Sequence, residues 1–121
     1  MGLVKNLLVL HNTKNLEDEL PYLLFIAYEL LQNKNKADVS IRRIREFFIA
    51  NSNDEVENAL KILIARGILK NNEEKQRYRF STMFYFDFFK SQATESKIQL
   101  IAQTMQDKLA GQEVEDQNRV H

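Results

Sequence analysis

A chain of 121 residues is the length of one domain with appended helices. Its 17 lysines and arginines are offset by 17 aspartates and glutamates, so the formal net charge is zero and the basic excess usual in a free-standing nucleic-acid binder is missing. The lack of cysteine excludes disulfides, thiolate nucleophiles and cysteine-held zinc, and no apolar run approaches the roughly 20 residues that span a bilayer.

Leu3, Leu7 and Leu10 share one helical stripe, with Val4 and Leu8 beside it, which predicts a short helix over about 3–10. The apolar stretch here lacks a small-residue cleavage site, and Gly2 lacks the downstream Ser or Thr of a myristoylation site, so the expected compartment is the cytoplasm. Residues 11–15 read as a loop. Asp18 is placed to cap the next helix, with Glu19 in its first turn and Pro21 where a missing N–H costs little. Leu20, Leu23, Leu24, Ala27, Leu30 and Leu31 follow the spacing of a buried helical face, and residues 32–36 are a polar stop.

Val39 reads as a single short strand residue. Ser40 caps a helix that turns Ile41, Ile44, Phe47 and Phe48 inward, and residues 51–53 form the turn after it. Ser52 and Glu55 form the S-x-x-E capping box, in which each side chain satisfies an orphan N–H of a helix start. Val56, Ala59, Leu60, Leu63 and Ile64 make the stripe of that helix. Gly67 ends it, because glycine enters the left-handed C-cap conformation without a steric cost.

Residues 68–70 read as a strand, 71–76 as a turn, and 77–80 as a returning strand that alternates polar and aromatic residues. The residue types of 83–89 favour β structure. The Ser81-Thr82 hydroxyl pair and the i, i+4 phenylalanines favour a helix over 82–90, with Ser81 as its cap and Phe84 and Phe88 on one face, and helix is the reading taken. Thr94 starts the last helix, whose apolar seam is Ile98, Ile101, Met105 and Leu109. Gly111 is expected to end it and residues 112–121 to be a disordered tail.

The pattern V-x-x-A-L-x-x-L-x-x-x-G-I-L from Val56 to Leu69, followed by the Y-x-F of Tyr78 and Phe80, resembles winged helix-turn-helix domains. With Met83, Phe84 and Phe88 following, it is most similar to the winged helix behind the core of AAA+ and STAND-type P-loop ATPases. The resemblance covers about residues 19–90. It implies a mainly α fold with a small β-wing (α+β), in a single domain over 1–111 with flanking helices at about 3–10 and 94–110. The matching positions are core positions, so they imply a fold and specify no activity. With glycine only at positions 2, 67 and 111, no G-x-x-x-x-G-K-[ST] phosphate cradle exists, so this chain is not itself the ATPase. The resemblance implies a fragment of one, a part of a transcriptional regulator, or a free-standing winged helix.

No catalytic residue, metal ligand or cofactor is assigned: the two histidines stand near no fixed acid or serine motif, and no carboxylate pair is marked out for acid–base work. The expected function is that of a non-catalytic winged-helix recognition module, binding nucleic acid (DNA) or a protein partner or acting in regulation. If the ligand is DNA, the third core helix presents Asn53, Asp54, Glu57, Asn58 and Lys61, of which Asn58 and Lys61 suit bases or phosphate and the carboxylates do not. Lys34, Lys36, Arg42, Arg43 and Arg45 form the better basic candidate, with Arg77 and Arg79 nearby. The competing expectation is a solvated face in which Arg42 and Arg45 pair with Glu46 or with the Glu17-Asp18-Glu19 cluster. The alternative function is a protein-interaction or oligomerisation domain, with a homodimer through the seam Ile98, Ile101, Met105 and Leu109.

Overall fold

The computed structural model describes residues 9–34, 37–72, 74 and 76–119, with 113–119 as backbone only. The described elements are α1 (Leu20–Gln32), β1 (Val39–Ser40), α2 (Ile41–Phe47), α3 (Asn53–Ala65), β2 (Leu69–Asn72), β3 (Arg77–Phe80), α4 (Met83–Lys90) and α5 (Glu95–Arg119). Residues 9–12, ahead of these, are also helical, so helix runs past Leu10 into the expected loop; residues 3–8 of the expected helix lie outside those described. Val9 is buried, and the Thr13 hydroxyl and N–H both return to its carbonyl at 2.8 and 2.9 Å, which closes that helix later than the polar residues suggested.

α1 is the central helix. It packs against α2, β1, α4 and α5, and the whole run Tyr22–Ala27 is buried rather than a single stripe. Tyr22, Phe25 and Ile26 therefore join the expected face, while Leu31 at the far end is exposed. Asp18 does not cap this helix. The Leu20 N–H that Asp18 would meet already reaches the carbonyl of Leu16 at 2.9 Å, and Glu19, the N-cap, makes no side-chain cap, since Pro21 has no N–H and the Tyr22 N–H reaches the Glu19 carbonyl at 3.1 Å.

The next two helices start where their hydroxyls predict. Ser40 Oγ accepts from the Arg43 N–H at 3.2 Å, and Ser52 and Glu55 complete the capping box with bonds of 3.1 and 3.5 Å. Ile41, Ile44 and Phe48 are buried from α2 and its end, facing Val56, Ala59, Leu60 and Leu63 from α3. At the end of α3 the Gly67 N–H bonds to the Ile64 carbonyl and the Ile68 N–H to the Leu63 carbonyl, at 2.9 and 3.0 Å, which is the Schellman closure. It requires Gly67 at φ +74°. A Cβ at Gly67 would meet nothing within 4 Å, so Gly67→Ala carries backbone strain alone. The expected loss is about 1 kcal/mol, read as a lower midpoint in denaturant unfolding. An unchanged midpoint would contradict this closure.

Ile68 and Leu69 are buried and lead into β2, which pairs antiparallel with β3 from Leu69↔Phe80 to Asn72↔Arg77. The strand thus runs to Asn72, two residues into the expected turn, because all four residues of β3 find partners. β1 joins the other side of β3, with Val39 opposite Tyr78, giving the order β1-β3-β2. The architecture is mostly helical with a small three-stranded antiparallel sheet, an α+β arrangement.

α4 is a helix, as its phenylalanine spacing suggested, but its buried pair is Tyr85 and Phe89 in place of Phe84 and Phe88. Phe80 decides this. Leaving β3 buried, it stacks on Phe86 and Phe89 with centroids 6.0 and 5.9 Å away, which rotates that side of α4 inward. Ser81 does not cap the helix; its hydroxyl donates to the Gly67 carbonyl at 2.5 Å and ties α4 to the end of α3. Thr94 Oγ1 accepts from the Lys97 N–H at 3.3 Å, so α5 starts as expected. It does not end at Gly111. Helix continues to Arg119, through the residues expected to be a disordered tail. An interior glycine costs a helix only about 1 kcal/mol, and next to it the Gln112 amide donates to the Ala50 carbonyl at 2.9 Å.

Candidate recognition surface

The outward face of α3 is as the spacing required. Asn53, Asp54, Asn58 and Lys61 are exposed and Glu57 is half-buried. Asn58 and Lys61 have no hydrogen bond or ion pair with a described residue. Lys36 lies outside the described residues. Arg42, Arg43 and Arg45 of the basic candidate are placed, as is Arg77, and each meets a carboxylate.

Arg42 is 89% exposed at its side chain and meets Glu46 one turn on, at 3.3 Å. Arg43 donates to Glu29 of α1 at 2.9 Å, approaches Glu46 at 4.0 Å and lies over the Phe25 ring, 5.6 Å from its centroid. The hydrogen bond to Glu29 holds the Arg43 pKa above its ordinary value. Arg45 reaches across to Glu57 of α3 at 2.6 Å, while its Nε is buried without a partner. Arg77 of β3 bonds through Nε to the Asp38 carboxylate, and its Nη2 reaches the Asp38 carbonyl at 3.3 Å. Arg42 thus takes the expected Glu46, but Arg45 takes Glu57, and the Glu17-Asp18-Glu19 cluster pairs with neither.

Each of these pairs is at least partly open to water, so each adds only about 0–1 kcal/mol to stability. Their effect on recognition is larger in kind. A phosphate arriving at Arg43, Arg45 or Arg77 meets a guanidinium whose charge a carboxylate already offsets. Glu29, Glu57 and Asp38 were not marked by the sequence as partners, because they sit on other elements. The cations without a carboxylate partner among the described residues include Lys34, Lys61, Lys70 and Arg79. Lys70 and Arg79 face each other across the β2–β3 ladder.

A second polar cluster secures the turn between α2 and α3. The Asn51 amide donates to Tyr22 Oη at 2.7 Å, and Lys108 of α5 donates to Asn51 Oδ1 at 2.7 Å and to Glu55 at 3.3 Å. Burial pushes the Tyr22 phenol up, against the lowering effect of the Asn51 bond. The Lys108 bond, with that from the Ser52 N–H, holds the Glu55 carboxyl below its usual range. This cluster anchors α5 across the start of α3 and leaves no pair posed for acid–base chemistry.

The seam of α5 is covered within one chain. Ile98 and Met105 are buried, and Ile101 and Leu109 are partly buried against the same core. α1 is the helix against which α5 packs. The stripe that motivated a homodimer therefore has an intramolecular partner, while Leu10 of the first helix is exposed.

Among the described residues no group of three or more His, Cys, Asp or Glu could hold a metal ion, and no helix is long and apolar enough to cross a membrane. Compared with known proteins, the chain matches no family model, no curated protein and no solved structure.

Proposed function

We propose that this chain is a non-catalytic winged-helix recognition module whose ligand is a protein partner, acting in the cytoplasm as a regulatory part of a P-loop ATPase or a transcriptional regulator. The fold half of this reading is supported by the order α3, Gly67, β2, turn, β3 and aromatic α4, which the resemblance calls for. The ligand half is carried by one observation: Arg42, Arg43, Arg45 and Arg77 are all engaged by carboxylates, on a chain of zero net charge. A surface of compensated charge offers a phosphate backbone little, and it suits the mixed polar rim of a protein interface. The acidic first turn of α3, with Asp54 and Glu55, points the same way, since it would face the phosphates if α3 entered a major groove.

DNA is the second reading, favoured by the exposed Lys61, Lys70 and Arg79, which have no partner among the described residues. Titration of duplex DNA at low salt separates the two. The expected result is no binding in the micromolar range. Micromolar binding that falls steeply with salt, and that Lys61→Ala weakens with a flatter salt slope, would replace the protein reading with the DNA one.

A further inference from the structure

We propose that the groove between the end of α1, the end of β3 and the start of α4 docks a short peptide segment of a partner protein, one that carries apolar anchors flanked by carboxylates. The proposal rests on the protein-partner reading and names the chemistry of that partner. The groove has a volume of about 780 Å³. Its apolar lining includes Leu30, Leu31, Met83 and Phe86, and its polar lining includes Lys34, Arg79, Ser81 and Thr82. Leu31 and Met83 face solvent, Met83 at 69% exposure, although both lie beside half-buried apolar neighbours.

Charge complementarity decides the occupant. Among the described residues that line the groove there is no Asp or Glu, and the cations among them, Lys34 and Arg79, have no carboxylate partner among the described residues, unlike the arginines of α2. The N-terminus of α4 adds to the positive potential, since Thr82, its N-cap, makes no side-chain cap. An apolar floor under a cationic rim selects against a cationic segment and gives free phosphate nothing to bury. It fits leucine-, isoleucine- or phenylalanine-type anchors on the floor with Asp or Glu reaching Lys34 and Arg79. Burying each anchor gains about 1.5–3 kcal/mol before the costs of ordering the segment.

A displayed library of random short peptides, selected on the whole chain, tests this. The enriched peptides should combine large apolar residues with Asp or Glu. Their binding, followed by fluorescence anisotropy of a labelled copy, should weaken about tenfold or more with Met83→Ser and with Arg79→Glu. Both side chains are exposed, so thermal melting should confirm that each variant stays folded. Lys34→Glu combined with Arg79→Glu should shift preference to the same peptide with Lys in place of its carboxylates. Enriched peptides that bind these variants undiminished overturn the groove and leave the protein-partner reading standing. A selection that enriches nothing, beside salt-steep duplex binding in the DNA titration, overturns both.

Discussion

Phe48→Ala is expected to lower the unfolding free energy by about 3–5 kcal/mol, the range for removing a fully buried phenylalanine. Phe48 is 1% exposed at the end of α2. It stacks on Tyr22 at 4.1 Å between centroids and meets Phe25 and Phe47 edge-on at 5.7 and 5.0 Å. The ring therefore fills the space where α1 and α2 meet, among the rings of Tyr22, Phe25 and Phe47. Folded domains hold only about 5–15 kcal/mol in total, so much of the stability of this chain should go with one ring. Ile49→Ala is the control. Ile49 is the next residue, yet it is 57% exposed, and its truncation should stay within about 0.5 kcal/mol. Urea unfolding of the two variants checks the contrast. Equal midpoints would mean that α2 does not dock through Phe48.

Met105→Glu should have the second largest effect, on the order of 3 kcal/mol, because it places a carboxylate in an apolar site with no partner. Met105 is 8% exposed on the α5 seam. The expected pairing of results is specific: the wild type sediments as a monomer at micromolar concentration, and the variant melts lower without changing its association. The opposite pairing, a wild-type dimer converted to a stable monomer, would mean that a second chain covers the seam. The structure favours the first outcome, because Ile98, Ile101, Met105 and Leu109 all pack against the core of their own chain.

Most element starts and stops were legible, and the reason is local. Ser40, Ser52 and Thr94 bond to N–H groups three residues ahead, and Gly67 needs only its own positive φ, so a few adjacent residues suffice to specify them. The alternation in Arg77–Phe80 predicted β3 to the residue for the same reason, since a period of two is visible within four positions. Where the local rule failed, a remote group had taken over. The Leu16 carbonyl replaced Asp18 as the cap of α1, and the Gly67 carbonyl drew the Ser81 hydroxyl away from α4. Phe80 stacks on Phe89 and the Asn12 amide donates to the Tyr85 hydroxyl, which brings Tyr85 and Phe89 inward where spacing alone had offered Phe84 and Phe88.

The candidate surface was less legible than the fold. The sequence by itself determined which residues are charged and which face of α3 is outward, because helical period places Asn58 and Lys61 opposite Val56, Leu60 and Leu63. It also determined that the charges sum to zero. Only the tertiary structure decided which cations remain available. Arg43, Arg45 and Arg77 meet their carboxylates 14, 12 and 39 positions away, on elements brought beside them by the burial of α1, α3 and β1. The same packing left Leu31 and Met83, far apart in the chain, in one groove with Lys34 and Arg79. A surface charge is felt over a few ångströms in space, and the chain brings distant positions to that separation only by folding.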